Sequence, residues 1–513
     1  MAGRSLAWVR AVALASSGAI VPAAIAQTPA RVWSLPAEPQ WADAETLVLQ
    51  GTERDGNFVP KSLSLPERET DSPGRPRLLP LTGELLPLLR PRIFGVEERV
   101  AATAEAGGLH IRCGAGSRPA GVVLEPTGYR FPRNMAGDLV LNGEASVPVG
   151  LSLVAPGGDA PAPPQTSFSG GRAALPLGPD ASALVVSCPF SANEIIFRGA
   201  RIEPAGGPAV RYGSWVWDAA EAIRNPAAFV DHLAALGLGD IAIQPPADPG
   251  DILPVARALS ASGIAAHFVE GDPDMIEPDG LARALERVGR LRRAAQRLRS
   301  AHPPVRLELD IEPYGRADYG RDPTAAWRRW ASAVEAIARS WGEPVDVDVP
   351  WWMLGAPGGV AALTSARASI DTIVVMAYRT EPQLILDAAE PWLALGMPVK
   401  IAVEAGEVAT EVQRTYRRAP AGELVISDGR AVLQPAPVAR ARGAATFSLT
   451  RETRTRPDRV SFYGRDAERG AAERTILPFL KGWSNFRGFR VHGFSGLRSQ
   501  IASRPADVPP KQQ

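Results

Sequence analysis

The residues best suited to chemistry in this chain are acidic, and they alternate with aliphatics. In Leu307-Glu308-Leu309-Asp310-Ile311-Glu312 the three carboxylates share one side of an extended chain, because successive side chains of a strand point to opposite faces. Val345-Asp346-Val347-Asp348-Val349 repeats the pattern. Lys400 and Glu404 share one face of the run 399–404, and Arg490 and His492 share one face of 488–494. Buried charge is costly unless it is paired or serves chemistry. Glu308, Asp346, Lys400 and Arg490 come early in their runs and read as a mutually neutralising layer. Asp310, Glu312, Asp348, Glu404 and His492 come late. Paired carboxylates suit proton transfer to a reacting oxygen, and because two neighbouring carboxyls resist ionising together, Asp310 and partial burial are expected to raise the pKa of Glu312. Trp217, Tyr314, Trp351, Trp352 and Tyr378 stand at the same ends. Rings beside acids suit a sugar polymer, since ring faces stack on pyranose C–H surfaces while an acid works on the glycosidic oxygen. Trp215 is accounted for equally well by core packing.

The elements that must position these residues begin near 210. Strand candidates recur at 214–217, 240–244, 264–270, 306–312, 345–349, 372–378, 399–404 and 488–494, with helical patterns between them. Asn225-Pro226 and Asp322-Pro323 open two of those helices. Eight strand-then-helix units over 208–503 predict a (β/α)₈ barrel, whose sites lie where the strands end. The seventh loop, 407–470, is enlarged and carries a hairpin pattern. Upstream, short alternating runs between turn residues over 96–207 predict a small β-sandwich, a support or carbohydrate-binding module. Cys113 and Cys188 fall within it, as one disulfide or as two buried thiols. Residues 27–95 form a Pro-rich lead segment, in which Pro80 and Pro87 exclude a long helix. The expected class is therefore α/β, a C-terminal (β/α)₈ barrel preceded by a β-sandwich.

Composition narrows the partners. Lys plus Arg is 56 against 55 Asp plus Glu, which gives no footprint for nucleic acid. Only four of those cations are lysine, a coding bias rather than a functional one. Arg4 and Arg10, the apolar stretch 11–21 and Ala24-Ile25-Ala26 read as a cleaved export signal over 1–26. That predicts a periplasmic or secreted protein with no transmembrane segment in the mature chain and a disordered tail at 504–513. Neither a GxSxG elbow, a GxxxxGK[ST] loop nor an HExxH helix occurs, so no cofactor is expected. With five histidines, of which only His267 and His492 lie near strand ends, a zinc site is not expected either.

The run Glu308-Leu-Asp310-Ile-Glu312 resembles the DxxDxDxE signature on the fourth strand of chitinase-type (family eighteen) glycoside hydrolases, and Met376-Ala-Tyr378 resembles that family's sixth-strand M-x-Y. The resemblance implies Glu312 as the acid, Asp310 as its partner and Tyr378 as a substrate contact. Val305 and Glu308 stand where that signature has its first two Asp residues, and Arg379 where an Asp follows M-x-Y. Glu312 ending strand four and Glu404 ending strand seven also resemble retaining barrel glycosidases, which implies Glu404 as nucleophile, with Ile311 where those enzymes carry Asn. A one-residue register slip in strand seven would leave Glu407 in its place. The expectation is an exported glycoside hydrolase acting on a polysaccharide, with Glu312, Glu404 and Asp310 catalytic and Trp217, Tyr314, Asp348, Trp351, Trp352, Tyr378 and His492 binding substrate. Its rivals are a non-catalytic polysaccharide-binding protein on a degenerate barrel and a metal-dependent hydrolase using Asp310, Asp348 and His492.

Overall fold

The computed structural model describes residues 33–493 except 37–38, 55–56, 65–75, 106, 156–163, 208, 299–303 and 317. The expected signal at 1–26 and tail at 504–513 lie outside the described residues. The chain divides into two compact units, 1–46 with 416–450 and 47–415 with 451–513.

The larger unit holds a closed parallel barrel of eight strands: β1 (Arg211–Val216), β2 (Asp240–Ile243), β3 (Ala265–Glu270), β4 (Arg306–Leu309), β5 (Val345–Pro350), β6 (Ile370–Met376), β7 (Val399–Glu404) and β8 (Phe486–His492). β8 closes the ring by pairing with both β7 and β1. The outer faces of the strands bury Leu307, Leu309, Val345, Val347, Ile401, Val403 and Val491 under the helices. The helix Pro323–Trp341 begins where Asp322 accepts from the Ala325 N–H at 2.9 Å, and it ends at Gly342, whose φ of 96° suits a residue without Cβ. Its Trp327, Trp330, Val334, Ile337 and Trp341 form the buried stripe that their spacing predicts.

The sandwich packs two five-stranded antiparallel sheets. One runs in the order Gly171–Pro176, Gly137–Ala145, Asn193–Pro204, Gly108–Cys113, Val100–Glu105. The other runs Thr166–Phe168, Val149–Val154, Ala183–Ser187, Ala120–Pro126, Leu89–Gly95. Ile111, Val122, Leu141, Leu151, Val186 and Phe197 fill its core, and Cys113 is joined to Cys188 by a disulfide. The sandwich thus starts at Leu89, inside the span expected to be lead segment. That span also contributes the hairpin Thr46–Arg54 with Asn57–Ser64. Edge strands tolerate proline, which is how Pro91 sits in Leu89–Gly95.

The seventh loop is more elaborate than one hairpin, with strands Glu411–Arg418, Ala421–Ser427, Arg430–Ala439 and Ala445–Arg454. In the smaller unit Trp33–Pro36 pairs with Arg430–Ala439, which pairs with Ala421–Ser427. The two-residue turn Asp428-Gly429 has φ of 49° and 68°, the left-handed pair that matches strand twist in a tight hairpin.

Sandwich and barrel meet through a buried carboxylate. Glu390, fully buried on the helix Pro382–Leu393, accepts from Arg130 Nη1 at 2.6 Å and from Arg133 Nε and Nη2 at 3.1 Å. Burial raises this carboxyl, but the two guanidinium groups outweigh it and hold it below its ordinary value. Its stabilisation is therefore present above the unfolded-state pKa and fades as pH falls through the lowered folded value. Glu390→Gln is expected to cost about 2 kcal/mol in urea unfolding at neutral pH, with a smaller difference in acid.

Candidate active site

Two layers of polar groups occupy the barrel interior, separated by a small apolar plug of Trp215, Ala242, Val269, Val374 and Ala402. Beneath it lie Asp240, His267, Glu308, Asp346, Lys400 and Arg490, all buried. Arg490 donates to Glu308 and to Asp240. Lys400 Nζ donates to Asp240 Oδ2 at 2.5 Å. His267 bridges the ring, with Nε2 at 3.4 Å from Asp240 and Nδ1 at 3.2 Å from Asp346. Glu308, Asp346, Lys400 and Arg490 are the layer expected from the sequence. Asp240 and His267 are not part of the expected layer; Asp240 is the lone polar residue of its strand, and His267 shares its strand with Glu270.

One atom each of His267, Glu308 and Asp346 falls within 4.8 Å of the others, a spacing metal ligands also have. Arg490, Lys400 and Arg306, which donates to Asp346 at 3.3 Å, set three cations against the three carboxylates of this layer, with His267 between them. Burial pulls the His267 imidazole down, but the Asp240 charge and the close approach of the Asp240 and Asp346 carboxylates prevail over burial and Lys400, leaving it above 6.5. Its charged form therefore stabilises the fold fully below the unfolded-state value, and that contribution is lost as pH rises through the folded value. His267→Gln should cost about 2 kcal/mol near pH 6 and distinctly less near pH 9 in urea titrations.

Above the plug is the mouth. Trp215 Nε1 donates downward to Glu308 at 2.7 Å and sideways to Asp348 at 3.1 Å, so its ring is core, and its N–H links the layers. Asp310 and Asp348 each keep one buried oxygen with no hydrogen-bond partner. Burial, then the charges of Glu312 and Glu308, push the Asp310 carboxyl up to about 7. Burial and the charges of Glu308 and Asp310 hold Asp348 well above the usual carboxylate range. Half-buried Glu312 accepts from the Tyr314 hydroxyl. That hydroxyl is kept protonated by burial and by the Glu312 charge. The Tyr378 hydroxyl feels, after burial, the charges of Glu404, Asp310, Asp348 and Glu312, and it too is raised.

Glu404 points inward and is buried, whereas Glu407 is exposed. Both Glu404 oxygens are engaged: Oε1 accepts from the Gly406 N–H at 2.5 Å, and Oε2 lies 2.7 Å from His492 Nδ1. His492 Nε2 in turn accepts from Trp217 Nε1 at 3.0 Å. Gly406 is needed here, because a Cβ would stand 2.9 Å from Glu404 Oε1 and 3.3 Å from Gly493 Cα. Tyr378 stacks near His492 with centroids 6.1 Å apart. On the opposite side Trp352 packs edge-on to Tyr314 at 5.1 Å, and the Arg379 guanidinium covers the Trp351 ring at 4.7 Å. Gly406 is a site residue the sequence did not single out, and Arg379 stands there only as the residue that follows Met376-Ala-Tyr378.

No protein-family model matches the chain, and no curated protein matches it. Among solved structures, the Podospora anserina GH26-CBM35 β-(1,4)-mannanase overlays with a TM-score of 0.29 at 11% identity, over 61% of this chain and 86% of that one. The Bacillus cereus spore cortex-lytic enzyme SleL gives 0.31 at 8% identity, over 58% and 73%. The family GH18 chitinase of Cycas revoluta gives 0.30 at 13% identity, over 57% and 97%. The fold itself rests on the closed eight-stranded parallel barrel of this chain.

Proposed function

We propose that this protein is a glycoside hydrolase that cleaves a polysaccharide at the barrel mouth, with Glu312 as general acid/base and Asp310 as its proton-holding neighbour. The observation that carries the reading is the carboxyl pair itself. Asp310 keeps a proton up to about pH 7, two residues from a Glu312 that is half-buried at the open end of the strands. Tyr314, Trp351, Trp352, Tyr378 and Asp348 supply the surrounding ring faces and hydrogen-bonding groups for a sugar chain. Release of reducing sugar from a panel of β-linked polysaccharides, with Glu312→Gln as control, tests it. The reading fails if the control releases as much as the wild-type chain.

A second reading is glycan binding without cleavage. It is favoured by Glu404, whose two oxygens are both turned to hydrogen-bond partners within the protein, Gly406 and His492. Glycan retained intact through long incubation would select it. Export to an oxidising compartment belongs to the same proposal. It is supported by the signal pattern at 1–26 and by the Cys113–Cys188 disulfide. Among the described residues no helix is long and apolar enough to cross a membrane.

A further inference from the structure

The polar chain at the β1, β7 and β8 side of the mouth has an unusual direction. It starts in the backbone and ends on an exposed ring. The Gly406 N–H donates to Glu404 Oε1, Glu404 Oε2 meets His492 Nδ1, and the Trp217 indole N–H donates to His492 Nε2. An indole N–H can only donate, so His492 Nε2 must offer a lone pair. The imidazole hydrogen then lies on Nδ1, donated to Glu404. Every polar atom in the chain has one role, and Glu404 has no oxygen left over. At the far end Trp217 is 37% exposed, although its N–H is tied down.

We propose that Glu404 is a positioning residue which, through His492, fixes the Trp217 ring as a stacking platform for a pyranose at the rim of the mouth, and that it forms no covalent bond to sugar. The proposal rests on the glycosidase reading and assigns it a binding subsite and a different role for the strand-seven carboxylate. It also has a pH consequence. Protonating Nε2 would set two N–H donors face to face and release the ring. The groups facing His492 are Glu404 on β7, Asp310 and Glu312 beyond β4, Tyr378 beyond β6, and Trp215 and Trp217 on and after β1. Burial lowers the imidazole, but the Glu404 hydrogen bond and the acidic charges outweigh it and raise it above 6.5. The platform should therefore loosen as pH falls through that raised value.

Two measurements test this. The first needs no substrate. The Trp217 indole N–H resonance, assigned by its loss in Trp217→Phe, should shift between pH 5 and pH 8 in the wild-type chain. The shift should vanish in His492→Phe and move to lower pH in Glu404→Gln. A resonance that does not respond to pH overturns the relay. The second uses β-1,4-linked hexasaccharides of glucose, mannose and N-acetylglucosamine. On whichever is cleaved, Trp217→Ala and Glu404→Gln should each raise KM about tenfold while kcat changes less than about threefold, because a glutamine can satisfy only one of the two N–H donors. A thousandfold fall in kcat for Glu404→Gln, or a sugar adduct on Glu404 by mass spectrometry, overturns the assignment. If none of the three is cleaved, it is the glycosidase reading that fails, and the relay is decided by the resonance alone.

Discussion

Glu312→Gln is expected to lower turnover of a cleavable polysaccharide by about a thousandfold or more, with thermal unfolding unchanged within about 2 °C. The size follows from proton transfer. A glutamine keeps the hydrogen bond from Tyr314, the volume and the strand register, but it cannot deliver a proton to the glycosidic oxygen. The small stability effect follows from position, since Glu312 lies beyond the last paired residue of β4 and takes no part in the lower charge network. The neighbouring acid adds a pH signature. Because Asp310 is pushed up to about 7 chiefly by burial, kcat/KM should fall on the alkaline side with an apparent value near 7. Asp310→Asn should flatten that limb. Activity that persists in Glu312→Gln, or an alkaline limb unmoved by Asp310→Asn, would remove the carboxyl pair from the mechanism.

How far the sequence could reach depended on what each residue faces. The barrel was legible because β4, β5, β7 and β8 carry a period of two in which one set must be buried under helices and the other enclosed by the ring. The inward direction of Glu308, Asp310, Asp346, Asp348, Lys400, Glu404, Arg490 and His492 follows from that parity alone. Parity says nothing about partners. Lys400 was expected to neutralise an acid of its own layer on β4 or β5. It lies 3.9 Å from Asp346 on β5, but its short bond is to Asp240 on β2, across the ring, a pairing that depends on strand tilt and side-chain length. The role of His267 is hidden for the same reason: a histidine near a strand end becomes informative about this layer only once Asp240 and Asp346 are known to flank it. The lead segment departs from expectation for a simpler reason. Its proline content hid Leu89–Gly95, because an edge strand tolerates prolines that a central strand would not.

Arg490→Met is expected to be the most destabilising single change in the barrel, at about 3–5 kcal/mol, read as a drop in the urea midpoint at constant slope. Arg490 is wholly buried and donates to two carboxylates from different strands, Glu308 and Asp240, while its guanidinium lies 5.1 Å from the Trp215 ring centroid. Burial alone would lower it, but the charges of Asp240, Glu308 and Asp348 prevail, so it stays cationic. Methionine fills comparable space, so the loss would come from charge rather than from a cavity. Two carboxylates would face one another, with Lys400, His267 and Arg306, the partner of Asp346, left to balance three acids. Removing the acids together with the cation separates these terms. If the cost is uncompensated charge, Arg490→Met combined with Glu308→Gln and Asp240→Asn should recover a large part of the lost stability. If the combined variant is less stable than Arg490→Met by the sum of its parts, the layer contributes specific hydrogen bonds rather than charge balance. The mouth should respond as well. Glu308 is one of the charges that raise Asp310 and Asp348, so neutralising it should lower both and shift the alkaline limb of activity downward. A layer that serves only stability would leave that limb in place.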